Sequence, residues 1–282
     1  MHCSARAPRR HRTSRRFTTR LLGLLAAATP ALLVPGLLVV AAPAPLVAQA
    51  GLHDDFDQLL RAHVRDGLVD YEAFKRSPVF ARYLERLAAT EPSALPRTEQ
   101  LALWINAYNA YTIAQINAHG ERTSIKNINK SLGLLSTGGA WRERMATVGG
   151  RRYTLDEIEH ERIRPVFREP RVHFALVCAA ISCPPLRSEA YTAERLDAQF
   201  DDQARRFLRQ SPGKNRVDLT TNTVFLSRIF DWYGKDFAPD RAGLLRWLAR
   251  YWPEGAERAL LDGGQARIQW TDYDWSLNIQ RK

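Results

Sequence analysis

The sequence predicts an α+β fold: a mainly helical single domain around one buried central helix, with a small antiparallel sheet of hairpins. Three observations predict it. Residues 99–119 carry apolar side chains on nearly every face, as a helix buried on most sides requires. Amphipathic helical spacing recurs before and after that stretch, and short alternating runs flank Gly149-Gly150 and Thr221-Asn222.

In chain order, residues 54–66 place Phe56, Leu59, Leu60, His63 and Val64 on one helical face, ending near Gly67, and residues 79–89 repeat the pattern. Thr98 is positioned to cap the central helix, which Gly120 closes. Residues 121–144 are polar and glycine-containing and read as a long loop, of the length that often borders a site. Thr154-Leu155-Asp156-Glu157 is a capping box opening a helix to about Arg162, which Arg164-Pro165 ends. Val172 to Val177 reads as an apolar strand, and Cys183-Pro184-Pro185 forces an extended loop because neither proline offers an N–H. Thr192 then caps a helix to Leu208, a hairpin spans Val217 to Ser227, a helix covers 240–251, and residues 267–273 close the fold as a strand.

Ahead of this domain, residues 1–50 read as a signal peptide. Seven arginines and no acid precede an apolar run from Leu21 to Ala42, and Ala48-Gln49-Ala50 supplies the small residues of a cleavage site. Ser14-Arg15-Arg16 resembles a twin-arginine signal, although Phe17 comes one position early. The expectation is therefore an exported protein, periplasmic or secreted, with residues 51–282 as one domain and membrane attachment only if the leader stays uncleaved. The net charge of +11 falls to +4 once the leader arginines are set aside, too little to attract phosphates, so nucleic acid is excluded as a partner. No phosphate loop, dinucleotide fingerprint, nucleophile elbow or His-Glu-x-x-His motif is present, and no cofactor is implied.

Several blocks resemble a known family, domain of unknown function 547. They are Leu103-Trp104-Ile105-Asn106-Ala107-Tyr108-Asn109-Ala110, Ser124-Ile125, Leu155 to His160 with Arg164, and Arg171-Val172-His173-Phe174-Ala175-Leu176. Ser182-Cys183-Pro184-Pro185-Leu186, Asp231-Trp232-Tyr233 with Asp236-Phe237, and Tyr273-Asp274-Trp275-Ser276-Leu277-Asn278 complete the set. The resemblance spans about residues 55–279 and implies the domain boundaries and an exported single domain. It implies no reaction.

The residues themselves suggest where chemistry would lie. Asn106 and Asn109 share a face of an apolar helix, so both amides need partners, in a structural network or on a ligand. Glu159 falls inside an apolar stripe, where a carboxylate is costly unless paired; Arg162 and Arg164 are the candidate partners, and a perturbed acid at a site is the alternative. His160 stands at the edge of that stripe. His173, Cys178 and Cys183 form the densest reactive cluster, but on a straight strand His173 and Cys178 would point to opposite faces. Asn106, Asn109, Glu159 and His173 are expected to converge on one polar pocket. Cys183 is the better nucleophile candidate, although Pro184 removes a neighbouring N–H that an oxyanion hole would use. The spacing of the His and Cys residues is too loose for a metal site. The mature chain has two cysteines facing an oxidising compartment, so Cys178 and Cys183 are expected to pair as a disulfide. Two classes remain. The leading one is a binding or scaffolding domain in the cell envelope with a structural cysteine pair, whose partner is an envelope component or small molecule. The other is a Cys/His-dependent envelope hydrolase or acyl transferase using Cys183.

Overall fold

The computed structural model describes residues 51–129, 139–211 and 213–281. The leader read over residues 1–50 and part of the long loop, 130–138, lie outside the described residues.

The first helix, α1 (Asp54–His63), stops short of Gly67 because Asp66 and Gly67 both adopt positive φ and turn the chain into a hairpin, β1 (Val64–Arg65) with β2 (Leu68–Val69). Two helices follow, α2 (Tyr71–Arg76), absent from the sequence reading, and α3 (Pro78–Ala89). Asp70 and Ser77 cap them by accepting from the Ala73 and Phe80 N–H groups. The central helix α4 (Arg97–Ala118) starts two residues earlier than a Thr98 cap would allow, with Pro96 at its cap position. All residues from Leu101 to Asn117 are buried, so α4 is the axis of the larger hydrophobic core.

Gly149 and Gly150, at φ +57° and +71°, make the hairpin turn between β3 (Ala146–Val148) and β4 (Arg151–Tyr153), as the sequence predicts. Thr154 and Glu157 form the expected capping box on α5 (Leu155–Glu157). Arg164-Pro165 does not end this helix. The chain widens into a π-helical segment, Ile158–Ile163, and continues through α6 (Arg164–Phe167), so the turn ahead of the proline absorbs its missing N–H.

Val172 to Val177 is not a strand. Val172–Ala175 forms the short helix α7, and the chain becomes extended only at Leu176. A short apolar run does not distinguish a strand from a buried helix by periodicity alone, and here tertiary anchors decide. Arg171 is held by Glu169, Asp197 and Asp201, while Asn109 on α4 grips the chain just after α7.

Helix α8 (Leu196–Arg209) begins later than expected, with Arg195 rather than Thr192 at its cap; the Thr192 N–H donates to Gln199 Oε1. The predicted second hairpin is β5 (Arg216–Asp218) with β6 (Thr223–Leu226), turning at Asn222. Then come α9 (Ile229–Phe237), α10 (Arg241–Ala249) and α11 (Ala256–Gly263), and β7 (Arg267–Trp270) pairs parallel to β6. The third sheet is therefore mixed, β5-β6-β7, rather than purely antiparallel, because three helices carry the chain back across it. A second core of Phe174, Phe207, Phe230, Phe237, Leu245 and Leu248 packs beneath this sheet. Among the described residues, no helix is long and apolar enough to cross a membrane.

Candidate functional site

The seam between the two cores begins at α7. Asn109 Nδ2 donates to the Ala175 carbonyl at 2.9 Å and Asn109 Oδ1 accepts the Val177 N–H at 3.0 Å. This clamp bends the chain immediately after the helix, so His173 and Cys178 face one cavity instead of opposite faces. Cys178 and Cys183 are disulfide-bonded, with Cα atoms 6.2 Å apart. No glycine eases the loop between them; Ala179 takes φ +60° instead, a conformation uncommon for a residue with a Cβ. The C-terminal segment holds that strained loop in place. Asn278 N–H donates to the Ala179 carbonyl, Ile181 N–H to Ser276 and Ser182 N–H to Asp274, and Ser182 Oγ accepts from Asp274 N–H at 2.8 Å. Beyond the loop, Asn106 makes a second two-way clamp, on the carbonyl and N–H of Tyr191 at 2.7 and 3.0 Å.

Both amides are thus committed to backbone, and neither lines the cavity. The expected convergence of Asn106 and Asn109 with Glu159 and His173 does not occur: the amides position the segments that carry the site.

His173 is buried, and its Nε2 lies 2.7 Å from Asp236 Oδ2 while its ring stacks on Tyr233 at 4.1 Å. Asp236 also receives Nε and Nη2 of Arg164 at 2.7 and 3.1 Å. The hydrogen bond from His173, reinforced by those from Arg164, holds the Asp236 carboxyl well below the usual carboxylate range. Arg164 also reaches His160 Nδ1 at 2.7 Å.

A depressed folded-state pKa fixes the sign of the pH dependence. The Asp236 contribution is complete above the unfolded-state value of about 3.9 and is lost as the pH falls through the folded-state value. The stability difference between wild type and Asp236→Asn is therefore expected to shrink from about pH 5 towards about pH 2 in urea unfolding. A difference constant over that range would reject the assignment.

Glu159 sits in the π-helical segment with its side chain only 9% exposed. Its Oε1 is buried and has no hydrogen-bond partner; His160 Nδ1 stands 4.0 Å away and is occupied by Arg164. The pairings expected from the sequence are not made, since Arg162 lies against Glu161 and Arg164 turns to Asp236. Burial, and after it the Glu159 carboxylate, raises the hydroxyl pKa of both Tyr233 and Tyr108.

These groups surround a cavity of about 300 Å³. Its lining includes His173, Leu176, Cys178, Cys183 and Pro184, together with Asp156, Glu159 and His160. The remaining wall is largely aromatic: Tyr108, Trp141, Trp232, Tyr233, Tyr273 and Trp275. Trp232, Tyr273 and Trp275 pack together, with ring centroids 4.6 to 5.9 Å apart, and Trp232 is 47% exposed. Among the described residues, no lysine or arginine lines the cavity. Among the described residues, no group of three or more His, Cys, Asp or Glu is arranged to hold a metal ion.

The cavity thus brings together His173, Cys178, Cys183, Glu159 and His160 of the residues singled out in the sequence. Sequence reasoning gave no role to Asp236 or to the aromatic wall. The available signal was the clustering of rare side chains in Asp231-Trp232-Tyr233 and Tyr273-Asp274-Trp275, which composition alone ties to no partner.

Residues 92–208 match the profile of a family described as "Protein of unknown function, DUF547". No curated protein matches the chain, and no solved structure does. The matched segment covers α4, the π-helical segment, α7 and the disulfide loop, but not α9 or the C-terminal aromatic residues.

Proposed function

We propose that this chain, whose residues 92–208 match a family described as of unknown function, is a binding domain of the cell envelope that takes a small amine with an apolar body. One observation carries this reading: the buried Oε1 of Glu159, without a hydrogen-bond donor, in a cavity walled by aromatic rings. A buried carboxylate oxygen without a donor is costly, and a ligand N–H removes that cost on binding. Among the described residues, the charged side chains that line the cavity, Asp156 and Glu159, are both acidic. Tryptophan and tyrosine faces attract a cation and cover an apolar body, so wall and carboxylate favour the same ligand class. The envelope assignment is supported by the arginine-rich leader pattern and by the cysteine pair, which persists in an oxidising compartment.

Selectivity provides the test. A primary ammonium supplies both charge and donor, a quaternary ammonium only charge, and an alcohol only a donor. Calorimetric titration of the full chain with 2-phenylethylamine, its N-trimethyl analogue and 2-phenylethanol is expected to rank them in that order. The amine should bind at least about tenfold more tightly than the alcohol, the worth of a charge-assisted over a neutral hydrogen bond. Equal affinity for alcohol and amine would sink the reading.

A second reading, an acyl hydrolase or transferase built on Cys183, is favoured by Asp236 orienting His173 in the cavity that Cys183 also lines. Its thiol is held in the disulfide. Its signature is ester hydrolysis by the reduced protein and none by the oxidised protein.

A further inference from the structure

We propose that Cys178–Cys183 is an exchange-active disulfide that oxidises small thiols entering the cavity, with attack at Cys178 and Cys183 as the leaving group. The proposal does not rest on amine binding, because its readout is a covalent change at sulfur.

The two sulfurs are not equivalent. Cys178 is half-buried, whereas Cys183 is 2% exposed, so an incoming thiolate reaches Cys178 more readily. The donors are unequal too. The backbone N–H of Cys178 donates to Cys183 Sγ at 3.2 Å, and the Tyr273 hydroxyl stands 3.2 Å from Cys183 Sγ and 3.3 Å from Cys178 Sγ. Disulfide sulfur carries no proton, so the Tyr273 O–H is the donor in both contacts. Burial raises the Tyr273 pKa and keeps that proton in place. Two donors therefore meet the charge that develops on Cys183 as the bond breaks. A third positive influence is Lys214, whose Nζ donates to the Cys183 carbonyl at 2.7 Å. A leaving thiolate stabilised in this way departs faster and draws exchange toward one direction of attack.

Nor does the loop depend on the bridge for its shape. Asn109 anchors its entry, Asn106 the segment beyond it, and residues 274–278 its middle. None of these contacts is made by a sulfur atom, so none has to break when the disulfide opens.

The chemistry balances with thiol as the co-reactant. A first thiol loses its proton to solvent, and its sulfur bonds to Cys178 Sγ as the Cys178–Cys183 bond breaks and Cys183 departs with the electron pair. A second thiolate attacks the substrate sulfur of this mixed disulfide and releases the oxidised pair, leaving Cys178 as thiolate. Two thiols have lost two electrons, the protein disulfide has gained them, and both cysteines take up a proton.

Reduced glutathione serves as the probe. The full oxidised chain is incubated with it at neutral pH without oxygen, quenched with acid at intervals, digested and analysed by mass spectrometry. The expected result is transient glutathione on Cys178 with Cys183 free, followed by the dithiol and one oxidised glutathione per chain. Tyr273→Phe keeps the ring and should slow the first step about tenfold, the scale of one hydrogen bond to a charged group. Cys183→Ser, given oxidised glutathione in place of the reduced form, provides a second reading that does not depend on Tyr273: the Cys178 thiolate attacks it, one glutathione leaves as thiolate, and the other stays on Cys178 as a lasting adduct. Glutathione on Cys183, an unchanged rate in folded Tyr273→Phe, or a disulfide opened only after denaturation would overturn the proposal.

Discussion

Asn109→Ala is expected to cost about 3–5 kcal/mol of stability, the sum of two stranded buried backbone groups and a small void. The amide sits on the fully buried face of α4 and serves the Ala175 carbonyl and the Val177 N–H at once. Alanine offers neither donor nor acceptor, and both backbone groups lie where water is excluded. The consequence extends beyond stability, because this clamp makes the chain bend between His173 and Cys178. Released, the segment is free to extend, and the two residues no longer face one cavity. Urea unfolding should show the loss in midpoint without a large change in slope, and glutathione should attack the two cysteines with less preference for Cys178. A loss below about 1 kcal/mol would mean that the backbone finds other partners, and the clamp would not be what shapes the site.

Asn109 also marks the boundary of what the sequence could reveal. That two amides on an apolar helix must meet something polar follows from residue type and spacing, but the identity of the partner depends on residues 66 and 68 positions further along. The same limit explains the strand expected at 172–177: the apolar run is real, but its conformation is decided by Arg171, Asn109 and the fold around them. Local signals fared better. The Thr154–Glu157 capping box, the Gly149-Gly150 turn and the all-round burial of α4 depend on near neighbours, and each is present. The cysteine pair was legible from the cysteine count together with the expectation of an oxidising compartment. Glu159 lies between these cases. Its cost was visible as a charge in an apolar stripe, but the sequence suggested Arg162 or Arg164 as partners, and both side chains are engaged elsewhere. The His173–Asp236 pair, 63 residues apart, had no local signal.

Glu159→Gln provides the sharpest separation between a structural acid and a binding one, because the two roles predict opposite changes in stability. If Glu159 maintained the fold, removing its charge would break a favourable contact and lower the unfolding midpoint. Its Oε1 has no donor, however, and the buried carboxylate meets only the neutral hydroxyl of Tyr233 and no cation. Exchanging the charge for a neutral amide of the same shape removes part of the desolvation cost, so the variant is expected to gain about 1 kcal/mol. Binding should move the other way. An amine transferred into the cavity would meet a neutral amide where the carboxylate had been and would itself be left as an uncompensated charge. Loss of one partner of a desolvated charge pair costs about 2–5 kcal/mol, so affinity for 2-phenylethylamine should fall by at least about 30-fold while affinity for 2-phenylethanol changes little. Thermal unfolding and calorimetric titration of the same two proteins provide both readouts. A variant less stable than wild type, with unchanged amine affinity, would return Glu159 to a purely structural role and remove the basis for an amine site.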